Sequence, residues 1–272
     1  MDNRPIGFFD SGLGGLTCIP YIMNLLPKEK IIYFGDTART PYGSKSVQTI
    51  QMFAQQIADF LVEHQVKMIV IACNTVSATS IPVLTHRFPD IPILGMIEPA
   101  SRHTGKMSTS DHKVGIIGTK VTIESRVYPE QIWKQNPDIP VFQKSCPALV
   151  PLIEEGIIHH DIMDMTIRYY LDDFVLENRI DTLVLGCTHY PLIRGDIERI
   201  YPNLRIIDPS EVMAYEVEKT LGEHNLFADA LTGENIFYAS DLSENFVNMI
   251  HRIFENTEAK IEFRNLELDQ YT

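Results

Sequence analysis

Basic residues are the first shortage: 23 Lys and Arg stand against 36 Asp and Glu, a formal net charge of −13. Nucleic-acid and anionic-membrane surfaces need clustered Lys and Arg, so neither kind of partner is expected. Long apolar runs are missing too, and no stretch approaches the roughly 18 uninterrupted apolar residues of a membrane helix. Met1-Asp2-Asn3-Arg4-Pro5 leads into a strand-like segment with no apolar signal region. Cysteine is sparse: Cys18, Cys73, Cys146 and Cys187 in 272 residues fall short of a disulfide framework. Free thiols in a reducing, cytoplasmic compartment are therefore expected. There is no G-x-G-x-x-G, no Walker Lys-Ser/Thr and no C-x2-C, which sets aside dinucleotide, nucleotide and structural zinc signatures.

What is present is ordinary for a soluble globular chain, with 44% hydrophobic and 22% charged residues. Short apolar runs alternate with longer amphipathic stretches, the pattern of βαβ units and a mostly parallel sheet. Strands are predicted at Pro5–Phe9, Ile31–Phe34, Met68–Ala72, Ile93–Gly95, Val114–Ile117, Val141–Lys144, Leu183–Gly186 and Arg205–Ile207. Helices are predicted at Gly15–Leu26, Ser46–Gln65, Val76–Phe88, Ile123–Gln135, Pro147–Glu155, Ile162–Glu177, Leu192–Ile200 and Glu211–Leu221. Gly105–His112 reads as a loop near a domain boundary. The tail adds strand-like Ile236–Ala239, helical Leu242–Phe254 and strand-like Ala259–Phe263, and should pack back on the first half. The expected architecture is α/β, with two similar three-layer α/β/α domains related by a pseudo-twofold. Residues 1–97 plus 210–272 would form the first domain and 98–209 the second.

Two segments look like copies of one device. Lys67–Ala72 runs into Cys73-Asn74-Thr75, and Asp181–Gly186 runs into Cys187-Thr188-His189. Each places a cysteine past the carboxyl end of a buried strand, where open α/β sheets gather their chemistry. Ile6–Ser11 and Val114–Thr119 also resemble one another, which suggests a duplicated half. An inert core thiol is the bland alternative for both cysteines, and Thr75 or Thr188 could serve only as helix caps. Cys18 reads as core, and Cys146 is ambiguous.

Other chemistry-bearing residues keep two readings each. Asp10 ends a strand before Ser11-Gly12-Leu13-Gly14-Gly15; it could cap the next helix or bind a substrate ammonium and assist Cys73. The loop Gly35–Gly43 could offer Tyr42-Gly43 N–H groups to a carboxylate, while Asp36 and Arg39 pair locally. His189 could tune Cys187 or exchange protons with it. Glu154 or its neighbour Glu155 could reach that second thiol. Thr119 and Thr122 could donate to a substrate carboxylate or cap a helix.

FFDSGLGG, GDTARTPYG, IACNT, VPLIEEG and GCTHYP occur in this order between residues 8 and 191. Together they closely resemble the glutamate branch of the aspartate/glutamate racemase family, essentially end to end. The resemblance implies cofactor-independent interconversion of L- and D-glutamate in the cleft between two domains, with no metal and no pyridoxal phosphate. It implies Cys73 and Cys187 as the two acid–base thiols. Asp10 would assist Cys73; His189 and the acid matching Glu154 would assist Cys187. Substrate contacts would fall on Asp10-Ser11, Tyr42-Gly43, Asn74-Thr75 and Thr188-His189, with Thr119 and Thr122 nearby. It further implies a homodimer that supplies D-glutamate for peptidoglycan. Val121 and Pro99-Ala100 depart from the family pattern in local loop detail. Aspartate as substrate, and a two-lobed binding module without turnover, are the rival readings.

Overall fold

The computed structural model describes residues 1–109, 111–253, 260–264 and 266. Its first half comprises β1 (Ile6–Asp10), α1 (Ile19–Leu25), β2 (Ile31–Gly35), α2 (Val47–Glu63), β3 (Met68–Ile71), α3 (Asn74–Arg87), β4 (Ile93–Gly95) and α4 (Ile97–Met107). Next come β5 (Val114–Gly118), α5 (Lys120–Glu124), α6 (Val127–Gln135), β6 (Val141–Ser145), α7 (Leu149–Glu154), α8 (Asp161–Asn178), β7 (Thr182–Gly186), α9 (Arg194–Ile200) and β8 (Arg205–Ile207). The chain then returns through α10 (Pro209–Glu223) to β9 (Ile236–Ala239), α11 (Glu244–Ile253) and β10 (Lys260–Phe263).

These strands form a six-stranded sheet, β10-β9-β2-β1-β3-β4, and a four-stranded sheet, β6-β5-β7-β8. Every pairing is parallel. The order β2-β1-β3-β4 recurs as β6-β5-β7-β8, so the second cysteine strand, β7, occupies the place that β3 holds in the first sheet. Helices on both faces explain the continuous apolar runs, because successive side chains of a strand point to opposite sides. Phe8 joins a core with Leu16 and Met213, whereas its neighbour Phe9 joins one with Ile57 and Leu61. In the second sheet Ile116 and Ile117 divide in the same way. The tail strands β9 and β10 extend the first sheet beyond β2, and α10 contributes Met213, Val217 and Leu221 to the core containing Ile6.

Four expectations need correcting. The boundary loop at 105–112 is helical through Met107, since α4 runs from Ile97 across Gly105. Gly105 is there for close packing: a Cβ would lie 2.6 Å from the Gln135 side chain on α6. The single helix Ile123–Gln135 is two helices, broken at Arg126 with φ 57°, and Thr119 caps the first. The expected helix starts at Gly15 and Leu192 are instead 3-10 turns, Gly14–Cys18 and Tyr190–Ile193, which lead into α1 and α9. Helix α3 begins at Asn74, two residues earlier than expected, directly after Cys73. Ser110, residues 254–259, Asn265 and residues 267–272, which fall within expected elements or the expected first domain, lie outside the described residues.

Candidate active site

Both cysteines sit where their strands end. Parallel pairing of β1 with β3 sets Phe9 beside Ile71; Ala72 then donates its N–H to the Phe9 carbonyl at 2.8 Å. Cys73 thus follows next to Asp10 and occupies the N-cap position of α3. In the second sheet β5 sets Gly118 beside Gly186, and Cys187 follows. All four cysteines are free and buried.

Around Cys73 a short chain of hydrogen bonds runs into the protein. The thiol donates to Ser11 Oγ at 3.5 Å, Ser11 Oγ donates to Asp10 Oδ1 at 3.4 Å, and Asp10 Oδ2 accepts from the Gly15 N–H at 2.6 Å. The last bond ties Asp10 to the 3-10 turn Gly14–Cys18, whose N-cap is Leu13 rather than Asp10, and the other oxygen faces the thiol side. Burial pushes the Cys73 thiol well above its ordinary range, and the nearby Asp10 charge adds to it; the Ser11 hydroxyl and the Val76 N–H work in the opposite direction. Burial also raises Asp10, against the pull of His189 and the Gly15 N–H. Cys73 is therefore held as a thiol with a carboxyl group behind it.

Around Cys187 the setting differs. His189 Nδ1 lies 3.8 Å from Cys187 Sγ, and Nε2 lies 3.1 Å from Glu154 Oε1. Glu155 is exposed instead, so the contact belongs to Glu154. Burial of the ring opposes its charged form, but hydrogen bonds and charges from Cys187 and Glu154 outweigh that, and the His189 pKa rises to about 10. The ring thus bridges the Cys187 sulfur and the Glu154 carboxylate. The two thiols share a backbone setting, but Cys73 is backed by a carboxyl group and Cys187 by a cation.

Both face one cavity of about 210 Å³ at the junction of the two sheets, also lined by Ser11, Tyr42, Gly43, Asn74, Thr75, Thr119, Thr188 and His189. Three expected residues stand behind its wall. Asp10 contacts Ser11 and Glu154 contacts His189 from behind, and Thr122 is fully buried against Thr119 and Thr75 at 3.0 and 3.4 Å. The halves of the molecule meet through Thr75 Oγ1 and Thr119 Oγ1, 3.0 Å apart, and through Gly14, whose Cβ would fall 2.5 Å from Thr188 Oγ1. Asn74 Oδ1 accepts from the Tyr128 hydroxyl at 2.6 Å. Its buried Nδ2 has no partner, a donor available to an anionic group in the cavity. Among the described residues, no group of three or more His, Cys, Asp or Glu could hold a metal ion. None of the helices there is long and apolar enough to cross a membrane.

Sequence reasoning missed several wall residues. Ser145 ends β6, Cys146 and Pro147 follow it, and all three line the cavity, so the strand-end rule that flagged Cys73 could have found them. Burial raises the Cys146 thiol to about 12. Lys120 and Tyr190 also line the cavity. Tyr128 has no such signal: it reaches Asn74 only because α6, packed on α4, brings it to the start of α3.

The Asp/Glu/Hydantoin racemase family model matches residues 22–217. The chain belongs to that family. A glutamate racemase of Neisseria meningitidis is 42% identical over 264 residues, covering 97% of each chain. One from Persephonella marina is 44% identical over 241 residues, covering 89% of this chain and 90% of its own. Among solved structures, glutamate racemase from Francisella tularensis in complex with D-glutamate superposes with a TM-score of 0.91 at 38% identity, covering 98% of this chain and 100% of that one.

Proposed function

We propose that this protein interconverts L- and D-glutamate by a two-thiol mechanism, Cys73 and Cys187 acting on opposite faces of the substrate α-carbon. The observation that carries this reading is the pair of strand-end cysteines on one cavity, each with its own proton partner. One sulfur, as thiolate, removes the α-proton; the other, as thiol, delivers a proton to the opposite face. Each turnover exchanges their protonation states, so the reverse reaction starts from the other cysteine. His189 stands beside Cys187 as its proton partner, and burial beside Asp10 favours thiol at Cys73.

The carbanion formed between these steps needs positive potential at the α-carboxylate. The N-terminus of α3, the Asn74 amide and the Thr75, Thr119 and Thr188 hydroxyls are suited to supply it. The Tyr42-Gly43 turn offers N–H groups to a second carboxylate, which suits a dicarboxylic amino acid. The family resemblance supports glutamate over aspartate, cytoplasmic action as a homodimer, and a role in supplying D-glutamate to peptidoglycan.

Racemisation of glutamate and aspartate, followed by circular dichroism, tests the substrate; activity confined to aspartate would overturn that part of the reading. Cys73→Ala and Cys187→Ala should each lose at least about 10³-fold in kcat, the scale of a positioned acid or base. Wild-type turnover in either variant would refute the two-thiol mechanism.

A further inference from the structure

We propose that Ser240, from the C-terminal segment, is a positioning residue that fixes the substrate-facing Tyr42-Gly43 turn through Asp36. The register of β9 on β2 sets Ala239 beside Gly35, and Ser240 donates its N–H to the Gly35 carbonyl at 3.0 Å. Ser240 therefore arrives next to Asp36, although 204 residues separate them in the chain.

Its hydroxyl makes two bonds there. It donates to Asp36 Oδ1 at 2.8 Å and accepts from the Ala38 N–H at 2.9 Å. The other carboxylate oxygen, Oδ2, accepts from Arg39 Nε at 2.7 Å and from the Tyr42 hydroxyl. Asp36 is fully buried, and Tyr42 and Ser240 are nearly so. A buried carboxylate keeps its place only while its donors are supplied, and bonds to a charged group are among the strong ones.

The chain of contacts ends in the cavity. Tyr42 is held at its hydroxyl by Asp36 and at its ring by Phe53, centroids 5.5 Å apart. Gly43 presses against Thr119, whose Cβ would be 2.7 Å from a Gly43 Cβ. Both Tyr42 and Gly43 line the cavity, so a shift of Asp36 is passed to the N–H groups offered to substrate. One residue away, Thr37 Oγ1 donates to the Asp241 carbonyl at 2.6 Å and accepts from the Asp241 N–H at 2.8 Å. The loop is thus tied to the segment after β9 at two successive positions.

The inference rests on the glutamate reading, so wild-type turnover of glutamate is measured first; its absence would overturn both. With an active wild type, Ser240→Ala should raise KM for both enantiomers roughly tenfold, the loss of one bond to a buried charge, with kcat within threefold. Thr37→Val should raise KM less, with the same split, and provides the measurement if Ser240→Ala does not fold. Ile236→Val, in the same strand, should lower the melting temperature and leave KM unchanged. An active Ser240→Ala enzyme with normal KM would overturn the inference alone. So would an Ile236→Val enzyme whose KM rises with its loss of stability, since the effect would then be general loosening of β9.

Discussion

Replacing Gly14 by Ala probes how tightly the site is assembled, because this glycine lies where the first half of the molecule touches His189. A Cβ at position 14 would fall 2.5 Å from Thr188 Oγ1, 2.6 Å from His189 Nδ1 and 2.9 Å from His189 Cε1. Non-bonded carbon contacts settle near ~3.5 Å, so the imidazole must retreat by roughly 1 Å. It has little freedom to do so, since Glu154 holds its far nitrogen at 3.1 Å. A misplacement of about 1 Å costs on the order of 10²-fold in rate, or about 2.7 kcal/mol of transition-state stabilisation. The stability cost should be that of a small overpacking, about 1–3 kcal/mol, and Gly14 carries no positive φ to add backbone strain. Initial rates in both directions, with a thermal melt on the same sample, measure the two costs separately. Gly195→Ala serves as reference, because nothing lies within 4 Å of its Cβ position. A Gly14→Ala enzyme within threefold of wild-type kcat would refute the claim that His189 must stay where it is.

Tyr128→Phe removes the 2.6 Å bond that orients the Asn74 amide; KM should rise about fivefold with kcat little changed, and an unaltered KM would show that Asn74 orients itself. Lys67 is fully buried and bonds Glu29 at 2.5 Å and the Asp2 and Leu226 carbonyls at 2.6 and 2.7 Å. Lys67→Met should therefore cost about 3–5 kcal/mol by urea denaturation while leaving kcat near wild type, since the pair lies at the opposite ends of the strands from the cavity. The raised His189 pKa sets a pH dependence. The folded state binds this proton more tightly than the unfolded chain, so its contribution is fully present below about pH 6.5. That contribution falls as pH rises and is lost above the folded value of about 10. Denaturation curves at pH 6.5 and 9.5 should show a larger loss for wild type than for His189→Asn; equal losses would remove the imidazolium from the account.

The parallel strands were legible because burial on both faces leaves uninterrupted Val, Ile and Leu runs, as in Met68–Ala72 and Leu183–Gly186. The thiol positions followed from those strands, since the residue after a strand end faces the cleft whatever else the chain does. Helix α4 was not legible: the polar stretch from Gly105 read as a loop, yet Gly105 is needed for the helix's approach to α6. The 3-10 turns at Gly14–Cys18 and Tyr190–Ile193 carry the apolar spacing of ordinary helix starts, so periodicity could not separate them. The parts of the site that depend on contacts between distant segments left no trace in local sequence. Tyr128 on Asn74 and Ser240 on Asp36 are of this kind. Glu154 and Glu155 are neighbours of identical charge, and only the direction of α7 turns one of them toward His189.

The most direct test of the two-thiol account follows the α-hydrogen itself. Protonated L-glutamate or D-glutamate is incubated with the enzyme in D2O, and substrate and product are separated at low conversion for mass analysis. Two distinct sulfurs predict a product carrying solvent deuterium at the α-carbon and unreacted substrate still carrying protium, in both directions. Product that keeps its original α-proton, or substrate that gains deuterium before it racemises, would mean one group serves both faces and would contradict the assignment of Cys73 and Cys187 as partners.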